Sequence, residues 1–184
     1  MLRSFAGFQS YHAELDELFL IHQEAVLAFR FDMAEAFLAA FERRLREHVR
    51  QEEELLLPLF ETAGRQERWP RELFSKEHDK LLHLLASVKQ SLMGIEPLQA
   101  GIRRRVLDLL ELEARFKHLS EHHHEREHQS LFPTLDRVAS QPLRDALIAR
   151  CGGDWEKVTA IDGPSLSKLT EALNRIASPF SHPD

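Results

Sequence analysis

Two segments decide how this chain folds: His48-Val-Arg-Gln-Glu52-Glu-Glu-Leu-Leu-Leu-Pro58 and His123-His-Glu-Arg-Glu127-His-Gln-Ser-Leu-Phe-Pro133. Each reads His, Glu four residues on, Leu at eight and Pro at ten. Residues four apart share one face of a helix, so each segment sets an imidazole beside a carboxylate. One such pair is commonplace on exposed helices, whereas two copies with the same trailing Leu and Pro form a much stronger pattern. At about 100° per residue, Phe37, Phe41, Leu45, Leu55 and Leu59 fall within about 60° of His48, with Glu52 in the same arc. Leu109, Leu112, Phe116 and Leu119 fall within about 40° of His123, with Glu127 among them. Both pairs therefore point inward. His122 and His124 sit about 100° to either side of His123 and read as solvated, and His118 and His128 fall on the far face.

Working outward, four stretches carry helical periodicity. They run from about Ser10 to Phe29, Met33 to Thr62, Pro70 to Met93, and Leu98 to Val138. The breaks fall at Arg30-Phe31-Asp32, Ala63-Gly64 and Gly94-Ile-Glu-Pro97. Short connections between long amphipathic helices make sequential neighbours antiparallel. The expected fold is all-α: an up-down-up-down four-helix bundle over residues 1–140, with a short helical extension over 141–184 packed on its outside. Cys151-Gly152-Gly153 reads as a helix end, leaving helices near Pro142 to Arg150 and Ser165 to Ile176, with no chemistry visible in this tail.

Composition narrows the function. The chain has 184 residues, with 24 Lys+Arg against 30 Asp+Glu and a net charge of −6, without the basic excess of a nucleic-acid binder. Arg103-Arg104-Arg105 reads as a solvated helix face. The longest apolar run, Leu55 to Phe60, is far short of the roughly 20 residues that span a bilayer, and the N-terminus lacks a signal-peptide core. One lone cysteine, Cys151, fits a reducing compartment. The expectation is a soluble cytoplasmic protein with no nucleic-acid or membrane partner. The 12 Phe suit one filled core and equally an apolar homodimer face.

An imidazole and a carboxylate at the centre of an apolar face cost several kcal/mol unless something satisfies them. A mixed nitrogen and oxygen donor set suits iron, manganese or zinc, and one or two dications would offset the charge. The alternative is a metal-free hydrogen-bonded His–Glu network. In the third helix, His78 lies within about 40° of the stripe formed by Phe74, Leu81, Leu85, Val88 and Leu92, whereas His83 points away. In the first helix, depth chooses. With the turn centred near Phe31, His48 lies 17 residues beyond it, His12 lies 19 before it and His22 only 9. At 1.5 Å per residue, His22 is displaced by roughly 12 Å from His48 and His12 by about 3 Å. His12 is the candidate, and His22 a boundary or core histidine. Depth fits His78 less well: it lies 8 residues after Pro70 while His48 lies 16 before Gly64, a difference left to a loop over Arg65 to Trp69.

His12, His48-x3-Glu52-Glu53 with Leu57-Pro58, Glu77-His78, and His123-x3-Glu127 with Leu131-Phe132-Pro133 resemble the hemerythrin-like proteins with the HHE cation-binding domain. The resemblance covers roughly residues 8–138. It implies a four-helix bundle with a non-haem di-iron centre, two histidines on each iron and the carboxylates of Glu52 and Glu127 bridging; zinc or manganese are possible substitutes. Two departures stand out. Hemerythrins proper carry a second inward histidine one turn along the third helix, where this chain has Leu82. The glutamate that usually follows Glu127 is here His128, read as facing outward. The implied donor set is thus His12, His48, His78, His123, Glu52 and Glu127, with more open coordination positions than an oxygen carrier has.

That set favours binding or sensing of O2 or NO, or the handling of iron and redox stress. The alternative is a di-iron oxidoreductase acting in peroxide reduction, iron oxidation or iron–sulfur cluster repair. Repair proteins carry a cysteine-bearing N-terminal domain with no counterpart in this sequence, which lowers that reading. Ferritin-like oxidases place Glu-x-x-His on two helices, and here it occurs only within the fourth, at Glu121/His124 and Glu125/His128.

Overall fold

The structure, a computed structural model, describes residues 4–64, 68–96 and 100–177. Expectations that fall on Met1 to Arg3, Arg65 to Glu67, Pro97 to Gln99, or Ser178 to Asp184, the end of the expected helical extension, lie outside the described residues. All regular elements among those described are helical. After a 3-10 turn, Phe5–Phe8, come α1 (Gln9–Leu27) and α2 (Phe31–Gln51), joined by a tight turn in which Phe29 adopts a positive φ of 56°. A π-helical segment, Glu52–Leu56, leads directly into α3 (Leu57–Glu61), and α4 spans Arg71–Met93. The second half repeats this plan: α5 (Ile102–Arg126), a π segment (Glu127–Leu131) and α6 (Phe132–Val138). Two further helices, α7 (Gln141–Ala160) and α8 (Gly163–Ala177), follow.

The long helices close a ring in which α1 packs on α2, α2 on α4, α4 on α5 and α5 on α1. Its core is aromatic and aliphatic: Phe37, Phe74, Leu81, Leu109 and Phe132 are fully buried. The apolar stripe anticipated for α4 is buried as a set from Phe74 to Leu92, and Phe8, Leu15, Phe19 and Val26 are buried on the α1 side. No helix among the described residues is long and apolar enough to cross a membrane.

Two expectations require correction. First, the second and fourth helices are not uniformly α-helical. Each carries a π segment that starts at the glutamate of the repeated motif, where Leu57 N–H bonds to the Glu52 carbonyl and Phe132 N–H to that of Glu127, five residues back. The repeated proline follows one residue later. A proline inside an α-helix lacks its donor and clashes with the carbonyl four residues earlier, and the wider π turn accommodates it. The extra residue also displaces the apolar face: Leu56, Leu57 and Phe60 are buried at 1%, 0% and 2%, while the expected Leu55 and Leu59 are only partly buried.

Second, α7 does not end at Cys151-Gly152-Gly153 but runs through it. Two glycines cost about 2 kcal/mol of helix propensity, which packing offsets. Ile148, Cys151 and Trp155 are buried, and a side chain at Gly152 would meet the Tyr11 hydroxyl at 3.7 Å.

The tail is fastened to α1 and α2 by specific contacts. Trp155 stacks on Tyr11 with ring centroids 4.4 Å apart, and its indole N–H donates to Glu14 (2.9 Å). Gln51 donates to the Cys151 carbonyl, and Arg43 and Arg44 both pair with the buried Asp162 of the α7–α8 turn.

Candidate metal centre

The bundle brings the six residues singled out by sequence to one buried locus. His12 comes from α1, His48 from α2, His78 from α4 and His123 from α5, while Glu52 and Glu127 open the two π segments. All six are at most 3% exposed. Depth selects partners much as anticipated on α1: His12 Nε2 lies 3.2 Å from His48 Nε2. On α4, His78 meets Glu52 (Nε2 to Oε2, 2.9 Å) and His123 (Nε2 to Nε2, 3.1 Å). Glu52 lies a turn nearer the α3–α4 connection than His48, which removes much of the depth mismatch.

The two carboxylates lie between the imidazole pairs. Glu127 Oε2 is 3.0 Å from His12 Nε2, and its Oε1 is 2.7 Å from His123 Nε2. Glu52 Oε1 is 3.5 Å from His48 Nε2, and its Oε2 faces His78. Each carboxylate therefore offers one oxygen to each histidine pair. Donor atoms bound to one first-row ion at about 2.0–2.1 Å, with angles of 90–109°, lie about 2.9–3.4 Å apart. The short contacts match that spacing. Hydrogen bonding accounts for only part of them: His78 Nε2 bonds to Glu52 Oε2, but Glu52 Oε1 and both oxygens of Glu127 are buried with no hydrogen-bond partner. Unpaired buried carboxylate oxygens are costly, and a shared cation is what such a donor set fits.

Two histidines are buttressed from behind. His78 Nδ1–H donates to Glu53 Oε1 (2.6 Å), whose other oxygen accepts from Ser75 (3.0 Å). His123 Nδ1–H donates to Glu77 Oε2 (3.1 Å), and Arg126 donates to the other Glu77 oxygen. A proton fixed on Nδ1 aims Nε2 inward, the carboxylate–histidine arrangement that orients metal ligands. His12 Nδ1, by contrast, has no hydrogen-bond partner. Glu53 and Glu77 lie inside the quoted motifs, but the fixing of their neighbours' imidazoles depends on which helix faces them.

Crowding shifts the titrations. Burial and the Glu127 charge push the Glu52 carboxyl up to about 7. Burial works against Glu127 too, yet His123 and His12 hold it well below the usual carboxylate range. Burial opposes a charge on His123, but Glu127, Glu77 and Glu52 outweigh it and raise that imidazole to about 10. His48, by burial and then by the neighbouring His12, is held well below its ordinary value.

The remaining histidines divide. His118, His122 and His83 are exposed, as expected. His22 is a core residue one bundle layer away: its Nδ1 bonds to the Ala34 carbonyl and its Nε2 to Glu113, both at 2.9 Å. His124, expected to be solvated, is buried at 9% exposure, stacked flat on His12 with centroids 3.8 Å apart and planes 2° from parallel. Burial, then His12, pushes its pKa down to about 3. His128, expected on the outer face, is half-buried and edge-on to His12 (5.9 Å), because the π segment turns residues after Glu127 away from the regular α-helical arc.

Two groups, His12/His48/His124/Glu127 and Glu52/His78/His123/Glu127, each have ligand atoms within 4.8 Å of one another. Buried His and Glu groups of this kind can hold a metal ion. In the first group, however, His12 and His124 cannot both bind the same ion as placed. An imidazole lone pair lies in its ring plane, and parallel rings at van der Waals separation do not aim at one point. His124 therefore covers His12 rather than completing its donor set.

Neither protein-family models, curated protein sequences nor solved structures give a match to this chain. The donor geometry alone must therefore carry the functional reading.

Proposed function

We propose that this chain is a hemerythrin-like, up-down-up-down four-helix bundle that holds two iron ions in a His4Glu2 centre and uses them to bind or sense O2 or NO. One observation carries the reading: Glu52 and Glu127 each present one oxygen to the His12/His48 pair and one to the His78/His123 pair. In this arrangement His12 and His48 would hold one ion and His78 and His123 the other, with Glu52 and Glu127 supplying a carboxylate oxygen to each. Iron bound there supplies redox chemistry and affinity for diatomic ligands. The protein's part is to exclude water, to fix His78 and His123 through Glu53 and Glu77, and to take back protons on His123 and Glu52 when the ions leave. Zinc and manganese fit the same donors.

Four protein donors to each ion leave coordination positions open in an octahedral set. Those open positions also favour a second reading, turnover of peroxide by the same centre. Metal analysis and an optical spectrum after anaerobic loading with iron(II) test the proposal. The expected result is two irons per chain and a spectrum that changes with O2 or NO. Near-zero iron, together with unchanged stability on replacing His48 and His123, would refute it. Peroxide turnover that disappears in a folded, iron-loaded Glu52→Ala variant would favour the enzyme.

A further inference from the structure

The candidate centre is buried, and its most exposed member lies where α5 packs on α1. Of the seven clustered imidazoles and carboxylates, His124 is the most exposed at 9%, against 0–3% for the others. One turn before it on α5, Ser120 places its hydroxyl 3.4 Å from His124 Nε2. Ser120 also lines a groove of about 420 Å³ between α1 and α5. The groove reaches Phe19, Phe41 and Phe116, whose ring centroids lie 4.9, 5.1 and 5.6 Å apart. Its rim carries three carboxylates, Asp16, Glu17 and Glu121, against one cation, Lys117. Two larger cavities, one beside α8 and one beside α7, have no lining side chain in hydrogen-bond or ring contact with a clustered histidine among the described residues.

An aromatic floor offers nothing to a strongly hydrated solute, since entry strips its water without replacing the hydrogen bonds. A rim with an excess of negative charge repels anions over about a Debye length, roughly 10 Å at 0.1 M salt. A small uncharged molecule meets neither barrier. We propose that the α1–α5 groove is the entrance through which a neutral diatomic ligand reaches the metal pair, passing Ser120 and His124, and that its acidic rim selects against anions. This rests on the metal-binding reading above.

The test uses iron-loaded protein and stopped-flow mixing with nitric oxide and, after oxidation of the iron, with azide. Ser120→Phe fills the inner end of the groove and should lower the nitric oxide association rate at least tenfold with iron content unchanged. Leu20→Trp, which narrows the mouth from an exposed position, should lower it too and guards against misfolding of the first variant. Ser167→Phe, in the groove beside α8, should leave the rate unchanged. Asp16→Asn combined with Glu121→Gln should speed azide several-fold at low salt and leave nitric oxide unaffected. An unaltered nitric oxide rate in folded, loaded Ser120→Phe and Leu20→Trp would overturn the proposal, as would azide entering as fast as nitric oxide. If the chain takes up no iron, the metal reading fails instead. Xenon-pressurised crystals of the metal-free chain then judge the groove alone: density among Phe19, Phe41 and Phe116 would support an accessible route, and none would overturn it.

Discussion

Glu77→Gln should weaken one of the two proposed metal positions and leave the other intact. Glu77 accepts from His123 Nδ1 at 3.1 Å with one oxygen and from Arg126 with the other, and it is 7% exposed. Glutamine keeps the size and one acceptor but removes the charge that favours an inward-aimed, electron-rich Nε2. Losing such an outer partner costs about 10–100-fold in metal affinity, about 1.4–2.7 kcal/mol. Glu53→Gln should act on the same position through His78, and less strongly, because the Glu53 side chain is 31% exposed and more solvent-screened. The His12/His48 position should not respond, since His12 Nδ1 has no partner to lose. The assay is an anaerobic iron(II) or zinc titration against a chromophoric chelator, resolved into two steps. One step should move 10- to 100-fold while the other stays within about twofold. Equal weakening of both steps, or no change in either, would refute the assignment of Glu77 to one position.

Metal uptake should release protons, because in the metal-free chain His123 is raised to about 10 and Glu52 to about 7, so both carry protons near neutrality that the metal must displace. Affinity therefore rises with pH, by roughly 10–100-fold per unit around pH 7 for one to two protons released; calorimetry in buffers of different ionisation enthalpy measures the number, and pH-independent affinity from pH 6 to 8 would contradict it. Glu113→Ala should cost about 3–5 kcal/mol in urea unfolding by stranding buried His22, whereas His22→Leu combined with Glu113→Leu should cost clearly less, and iron content should hold in both. Trp155→Ala should lower stability by about 3–5 kcal/mol and expose α7 to proteolysis; a change below about 1 kcal/mol would mean that α7 is not anchored through the Tyr11 stack.

How much of this was legible beforehand depended on where a residue stands relative to the π segments. The 100° wheel placed His48, Glu52, His123 and Glu127 inward because all four precede or begin those segments. It misplaced Leu55 and His128, which lie within them, and Leu59, which follows the first. The repeated proline marked both spots in the sequence, although its effect on the backbone was not read from it. Depth from the α1–α2 turn chose His12 over His22, since two antiparallel helices of regular rise leave little freedom. His124 was missed because its burial comes from a ring on another helix, which no single-helix pattern contains. Gly152-Gly153 misled for a similar reason: local propensity favoured a stop, and contact with Tyr11 overrode it.

The paired π turns have a consequence beyond accommodating prolines. Each acts as one residue inserted into an otherwise regular helix, so the two ends of the α2–α3 rod, and of the α5–α6 rod, are out of phase by about a quarter turn. The end bearing His22, Phe41 and Phe116 and the end bearing Leu57, Phe60 and Phe132 can each keep good packing while the glutamates sit at the seam between them. The core layers on either side of that seam should therefore be more weakly coupled on α2 and α5, so that a change of side-chain size in one leaves the donors in place. A bundle assembled this way can alter its apolar ends without retuning the centre, much as a vernier lets two rulers slide past a fixed mark.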